Sequence, residues 1–259
     1  MMISAITLVD LDDTLFQTAR KCPPDVPGDK LTAYSWTAEC EAISFATPAQ
    51  VALIEWLQAT TRVVVVTARS ADALARTRMD YDLAIVAHGG GLVDHHPNAA
   101  APERPLAPDW RAVISQTVDG AALEGLLADV NEESRQLGIR VRARIVSEDG
   151  LPLYLVVKHH LPDGNDSELH AACAGSLSRL PTGWTPHVNG NNVAFLPPGL
   201  GKAHAVEWLL PKLRSQHPDL PIIGIGDSLS DAGFMQLCDF AMTPTHSQLA
   251  SRLFSARSA

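Results

Sequence analysis

The chain has 259 residues, of which 46% are hydrophobic and 19% charged, and its formal net charge is −9. That length suits one large domain or a core with a smaller module, and the composition is that of an ordinary globular chain. The negative balance argues against nucleic acid and anionic membrane as partners, and no apolar run approaches membrane-spanning length.

The opening MMISAITLVDLDD lacks a basic region and reaches carboxylates after one short apolar run, so it does not read as a signal peptide. Cys22, Cys40, Cys173 and Cys238 are scattered and form no C-x-x-C pair. They read as reduced thiols of a cytoplasmic protein.

In chain order, Ile3–Val9, Val63–Val66, Ala84–Ala87 and Ile222–Ile225 are short, continuously apolar runs. Such runs suit parallel strands covered on both faces. Thr47-Pro48 supplies an N-cap and first-turn proline for a helix with Ala49, Leu53, Trp56 and Leu57 on one face. Leu123, Leu126, Leu127 and Val130 mark a second helix, and Ile139–Val146 and Leu151–Val157 flank a hairpin turn at Ser147–Gly150. Leu169, Ala172, Cys173, Ser176, Leu177 and Leu180 give a further helical face, and Val188 and Val193–Leu196 two more strands. A last long helix follows Gly201, with Val206, Leu209, Leu210 and Leu213 inward and Pro211 expected to kink or interrupt it. The pattern predicts an α/β parallel-sheet core over 1–108 and 196–259 with an inserted α+β module over 109–195. Pro97–Pro108 reads as the linker into the module and Leu196–Gly199 as the hinge out of it.

Polar groups collect where these strands end. Asp10-Leu11-Asp12-Asp13-Thr14 closes the first, Thr67-Ala68-Arg69 the second, and Gly226-Asp227-Ser228-Leu229-Ser230-Asp231 the last, while Lys202 opens a helix. Open α/β sheets bind ligands at the carboxyl ends of their strands. Several carboxylates crowded together need protons or a cation, and an oxygen-only donor set suits Mg²⁺. Each piece alone has an ordinary explanation: a turn or cap for the aspartates, a strand end for Thr67, a solvated side chain for Lys202. Their joint order along the chain is what points to a site.

Those four segments resemble the motifs of the haloacid dehalogenase superfamily of phosphohydrolases, and the insertion is similar to the C2 cap of its class IIB branch. The resemblance implies a Rossmannoid core with a cap and a Mg²⁺-dependent phosphatase acting on a small phosphorylated metabolite, such as a sugar phosphate or a phosphoglycerate-like compound. It implies Asp10 as nucleophile and Asp12 as general acid and base. Thr67, Ala68, Arg69 and Lys202 would bind phosphate or substrate. Asp10, the backbone carbonyl of Asp12, and Asp227 would hold the metal, with Asp231 on a metal-bound water or on Lys202. A phosphomutase or phosphotransferase shares these motifs, and a non-catalytic binding protein is the reading from another class. Arg69 either contacts substrate or pairs with a core carboxylate. The protein is expected to act as a monomer or homodimer.

Other residues have plainer readings. His88, His95 and His96 suit a partly exposed hairpin, His159-His160 a solvated strand end, and Trp56 and Trp208 the core. Phe16–Ala46 is a long connection without an obvious pattern. Its Tyr34 and Trp36 either cover the phosphate site as a lid or anchor the segment on the core.

Overall fold

A computed structural model describes residues 3–96, 98, 100, 105–161, 166–188 and 192–254. The elements run β1 (Ala5–Val9), β2 (Thr32–Trp36), β3 (Ala42–Ala46), α1 (Pro48–Thr60), β4 (Thr61–Val66), α2 (Ala71–Ala75), β5 (Leu83–Val86), β6 (Gly91–Val93) and α3 (Ala107–Ile114). There follow α4 (Gly120–Leu137), β7 (Val141–Glu148), β8 (Leu151–His159), α5 (Asp166–Ser178), β9 (Thr185–Val188), β10 (Val193–Leu196), α6 (Lys202–Gln216), β11 (Ile222–Ile225), α7 (Leu229–Met235), β12 (Phe240–Met242) and α8 (Gln248–Phe254).

The chain divides into two compact units, 1–110 with 202–259, and 111–201. The first carries a six-stranded sheet in the order β12-β11-β1-β4-β5-β6, parallel except for β6. β1 is buried along its whole length, as expected of a central strand covered on both faces. The strand order reverses at β1, between β4 and β11, which is the switch point where such sheets leave a crevice. Thr47 and Gln50 form the capping box that starts α1.

The second unit is a four-stranded antiparallel sheet, β7-β8-β10-β9, with α4 and α5 packed on it. Asp149 (φ 48°) and Gly150 (φ 77°) make the tight β7–β8 turn, which needs two left-handed residues. Of the linker read at Pro97–Pro108, residues 97, 99 and 101–104 lie outside the described residues, while Ala107 and Pro108 already belong to α3.

Several side-chain placements differ from the sequence reading. Trp56 is 51% exposed, because the inward stripe of α1 runs through Ile54 and Leu57 and Trp56 points off it. Trp208 is half-buried, its ring beside Trp110 (centroids 5.1 Å) and under the Lys212 ammonium. α6 runs through Pro211 without interruption. His88 is buried rather than exposed. Ala87, His88 and Gly89 all adopt positive φ, so the chain turns back under the strand ends, where the His88 N–H donates to the Thr67 carbonyl. His159 is also buried, because β8 is covered by α5, whose Glu168 Oε2 lies 3.1 Å from His159 Nε2.

The Phe16–Ala46 connection is an ordered hairpin. β2 and β3 pair antiparallel, and the base is closed by Gln17 and Phe45, each donating its N–H to the other's carbonyl. Tyr34 is buried and stacks on Phe16 at 5.7 Å between ring centroids, so it anchors the segment and is not a lid residue. Trp36 is half-buried, its N–H bonded to the Arg76 carbonyl, while the Arg78 N–H bonds the Tyr34 carbonyl.

Candidate active site

β1, β4 and β11 end side by side, and each delivers polar residues to the same rim. Asp10 follows β1 directly and is buried. Lys202, on the first turn of α6, is buried and places its Nζ 2.6 Å from Asp10 Oδ1 and 2.7 Å from Asp231 Oδ1. Asp231 sits in the first turn of α7, where its Oδ2 accepts from the Ser228 N–H (3.0 Å) and hydroxyl (2.6 Å). Both Asp231 oxygens are therefore committed to protein donors, one to orient Lys202. The turn tolerates only glycine at 226, since a Cβ there would come within 2.5 Å of the Asp231 Cβ.

Asp227 completes the group. One oxygen from each of Asp10, Asp227 and Asp231 lies within 4.8 Å of the others. Between Asp10 and Asp227 stands the Thr14 hydroxyl, 3.2 Å from Asp10 Oδ2 and 3.3 Å from Asp227 Oδ1. A single hydroxyl proton cannot satisfy both, so the facing carboxylate oxygens share one weak donor. Three carboxylates against one ammonium, with under-satisfied oxygens and no Cys or His among them, fit a hard divalent cation such as Mg²⁺.

The electrostatics agree. Burial drives the Asp10 carboxyl well above its ordinary value, against the pull of Lys202 and with the help of Asp231 and Asp12. Asp227 is raised to about 6 by burial, with Asp231 and Asp13 adding to it. For Lys202, burial lowers its proton affinity, but Asp10 and Asp231 outweigh burial and hold it charged. For Asp231, burial works upward and is overcome by Lys202 and Ser228, so it stays ionised.

A pH dependence follows from these directions. Asp10 and Asp227 titrate above the unfolded 3.8, so without metal they make the fold less stable as pH rises through that window. Lys202 is raised above 10.5, so its stabilisation is fully present below that pH. Asp231 is lowered, so its stabilisation is present above 3.8, and neither changes between pH 5 and 8. A bound cation needs Asp10 and Asp227 ionised and displaces their protons. Thermal melts with Mg²⁺ and with chelator should therefore differ little at pH 5 and clearly at pH 8. An equal Mg²⁺ effect at both pH values would contradict this placement of the metal.

Thr67 follows β4 and is fully buried. Its Oγ1 accepts the Arg69 N–H at 3.1 Å, which leaves the hydroxyl proton for a ligand oxygen. Arg69 faces Asp12: Nε donates to Oδ2 at 2.8 Å and Nη2 to Oδ1 at 2.7 Å. Of the two alternatives, the geometry places Arg69 on a carboxylate. The Asp12 carboxylate, 47% exposed, is not one of the three gathered carboxylates. Ala68 lies between Thr67 and Arg69 in the same turn.

Sequence reasoning assigned no role to Thr14, Ser35, Ser44 or the Asp13–Lys21 ion pair. Thr14 had a signal, four residues after Asp10 in the same motif. The serines had none, because only the hairpin brings them near Arg69. Beside Asp13 and Asp227 lies a cavity of about 470 Å³, whose lining mixes amides and hydroxyls, among them Gln17, Gln50, Thr245 and Gln248, with Lys21, Pro23, Pro244 and His246.

No family model matches the chain, and no curated protein matches it. Solved structures do. The sucrose-phosphatase of Synechocystis, in complex with sucrose and phosphate, aligns with a TM-score of 0.57 at 15% identity, covering 100% of this chain and 90% of that one. The C-terminal domain of C. albicans trehalose-6-phosphate phosphatase gives 0.54 at 12%, covering 90% of this chain and 72% of that one. A truncated IMP-nucleotidase of Plasmodium falciparum gives 0.52 at 13%, covering 93% and 66%. The fold is the haloacid dehalogenase type. At these identities the likeness concerns the fold, and haloacid dehalogenase-type folds carry different substrates among these three neighbours alone.

Proposed function

We propose that the protein is a Mg²⁺-dependent phosphatase that hydrolyses a small phosphate monoester through a phosphorylated Asp10. The observation that carries this reading is the buried Asp10 at the end of β1, paired with Lys202 at 2.6 Å and gathered with Asp227 and Asp231. A lone buried ion pair needs no further carboxylates. Their presence around Lys202 suits a site that takes up a cation and a phosphate together.

In the first step an Asp10 oxygen attacks phosphorus, the P–O ester bond breaks, and the leaving oxygen takes a proton from Asp12, which enters the step as the carboxylic acid with its other oxygen kept on Arg69. In the second, Asp12 accepts a proton from water, the water oxygen attacks phosphorus, and the P–O bond to Asp10 breaks, releasing inorganic phosphate. Lys202 and the Thr67 hydroxyl supply charge and a donor to the phosphate oxygens. Asp10, Asp227 and the Asp12 carbonyl would hold Mg²⁺, which when bound neutralises charge on the transferring group.

A sugar phosphate or similarly hydroxyl-rich ester is the favoured substrate class. The cavity beside Asp227 offers amides and hydroxyls and, among the described residues, no aromatic side chain other than His246 on which a nucleobase could stack. The sucrose-phosphatase and trehalose-6-phosphate phosphatase neighbours point to the same class.

The test is phosphate release from a panel of sugar phosphates, glycerol phosphates and nucleotides, with no acceptor sugar present. We expect release that needs Mg²⁺, stops with chelator and is inhibited by Ca²⁺, whose looser coordination misplaces Asp10 for attack. Turnover only with an acceptor sugar would make the protein a phosphotransferase. No turnover of any ester, with Mg²⁺ still bound, would make it a binding protein.

A further inference from the structure

Asp12 owes its orientation to one partner. Its carboxylate is 47% exposed, and among the described residues only Arg69 hydrogen-bonds it, through both oxygens.

The guanidinium is itself held by the hairpin. Arg69 is only 13% exposed, and its Nη2 donates to Ser35 Oγ (3.3 Å) and Ser44 Oγ (3.4 Å) as well as to Asp12. Phe16 lies under it, with the Arg69 Cζ 5.3 Å from the ring centroid. Ser35 and Ser44 are buried register partners directly across the β2–β3 pair, so their hydroxyls reach Arg69 from one face. The register shifts on both sides of Ser35, an irregularity of the kind that re-aims a side chain. The platform is firm: β2 is tied by backbone hydrogen bonds to Arg76 and Arg78 and by a bridge between Ser35 and Thr77, and Tyr34 is packed on Phe16.

We propose that Ser35 and Ser44 are positioning residues of the reaction: by fixing the Arg69 guanidinium, they set the aim of the Asp12 carboxylate at the leaving oxygen. The inference rests on the functional reading above. A hydroxyl pair buried against a guanidinium that grips only a half-exposed carboxylate has its consequence at that carboxylate. Small errors of aim cost rate without loss of binding. The hairpin thus contributes to the chemistry through its two serines, while Tyr34 holds it on the core.

The experiment compares the parent with Ser35→Ala/Ser44→Ala, and with Ser44→Ala alone in case the double variant folds poorly. Each is assayed on p-nitrophenyl phosphate, whose leaving group needs little protonation, and on glycerol 2-phosphate, whose alkoxide needs a proton. We expect kcat on glycerol 2-phosphate to fall by about 10-fold and on p-nitrophenyl phosphate by less than about 2-fold, with KM nearly unchanged, since an aimed general acid is worth orders of magnitude only where a proton must be delivered. Equal losses on both esters would assign the serines to packing and overturn the proposal, as would no loss on either. If the parent hydrolyses neither ester, the comparison is made with whichever ester of the panel above it does turn over, in place of glycerol 2-phosphate; if it turns over none of them, the functional reading has failed and the inference falls with it. If the parent hydrolyses both and the variants match it, the inference alone fails.

Discussion

Asp10→Asn is expected to lower turnover by about four orders of magnitude or more, because an amide cannot form the phosphoryl-enzyme bond and residues essential to covalent catalysis show losses of that size. The protein should stay folded. The parent carboxyl lies well above its ordinary proton affinity because burial penalises its charge, so at neutral pH the ionised form costs stability that an amide does not. The substitution leaves Lys202 with Asp231 at 2.7 Å, so the buried ammonium keeps an anionic partner. In chelator, the variant should therefore melt no lower than the parent while its activity is gone. Its Mg²⁺-induced stabilisation should shrink, since one carboxylate of the cluster is lost. Near-parental activity in the folded variant would refute the role of Asp10. A collapse of stability would make Asp10 structural.

Lys202→Met should damage both stability and function. The ammonium is buried between Asp10 and Asp231, and removing one partner of a buried ionic group typically costs about 3–5 kcal/mol because the remaining charge is left uncompensated. Asp231 suffers most, since Lys202 is the strongest influence holding it ionised against burial. The deficit should be largest at neutral pH and should shrink toward pH 4, where Asp231 can take a proton and no longer needs the cation, while Asp10, already raised by burial, adds little to this pH dependence. Urea unfolding of parent and variant at two pH values measures this directly. Turnover should be lost at every pH, because a phosphate would enter a site that has gained negative balance. A variant as stable as the parent at neutral pH would mean that the Lys202 pairs contribute little to the fold.

Much of the site was legible because each component lies where an apolar strand run gives way to polar residues. Asp10, Thr67 and Asp227 follow β1, β4 and β11 within a residue or two, and a parallel sheet places the ends of neighbouring strands together. Lys202 was legible only by its place at a helix start, and the structure brings it to Asp10 across 192 residues of sequence. The Arg69–Asp12 pair stood as one of two alternatives, since sequence does not tell which way a guanidinium turns. The hairpin was illegible because β2 and β3 alternate weakly and their pairing is irregular at Ser35, so period-2 patterning is broken where it matters. His88 and His159 were misread for a related reason. Whether a polar residue at a strand end is solvated depends on what covers it, and the covering elements come from distant parts of the chain. Trp56 shows the converse: spacing put it near the stripe of α1, but the inward direction is fixed by Ile54 and Leu57.

The central claim is that phosphate passes through a covalent bond to Asp10. It is tested by mixing the Asp12→Asn variant, which should form the phosphoryl enzyme from p-nitrophenyl phosphate but hydrolyse it slowly, with that ester and Mg²⁺, quenching in acid and mapping the peptides by mass. A single phosphoryl group is expected on the peptide carrying Asp10, absent when Asp10 is also replaced by Asn. Release of phosphate with no phosphoryl group ever found at Asp10, or with one found on another residue, would contradict it.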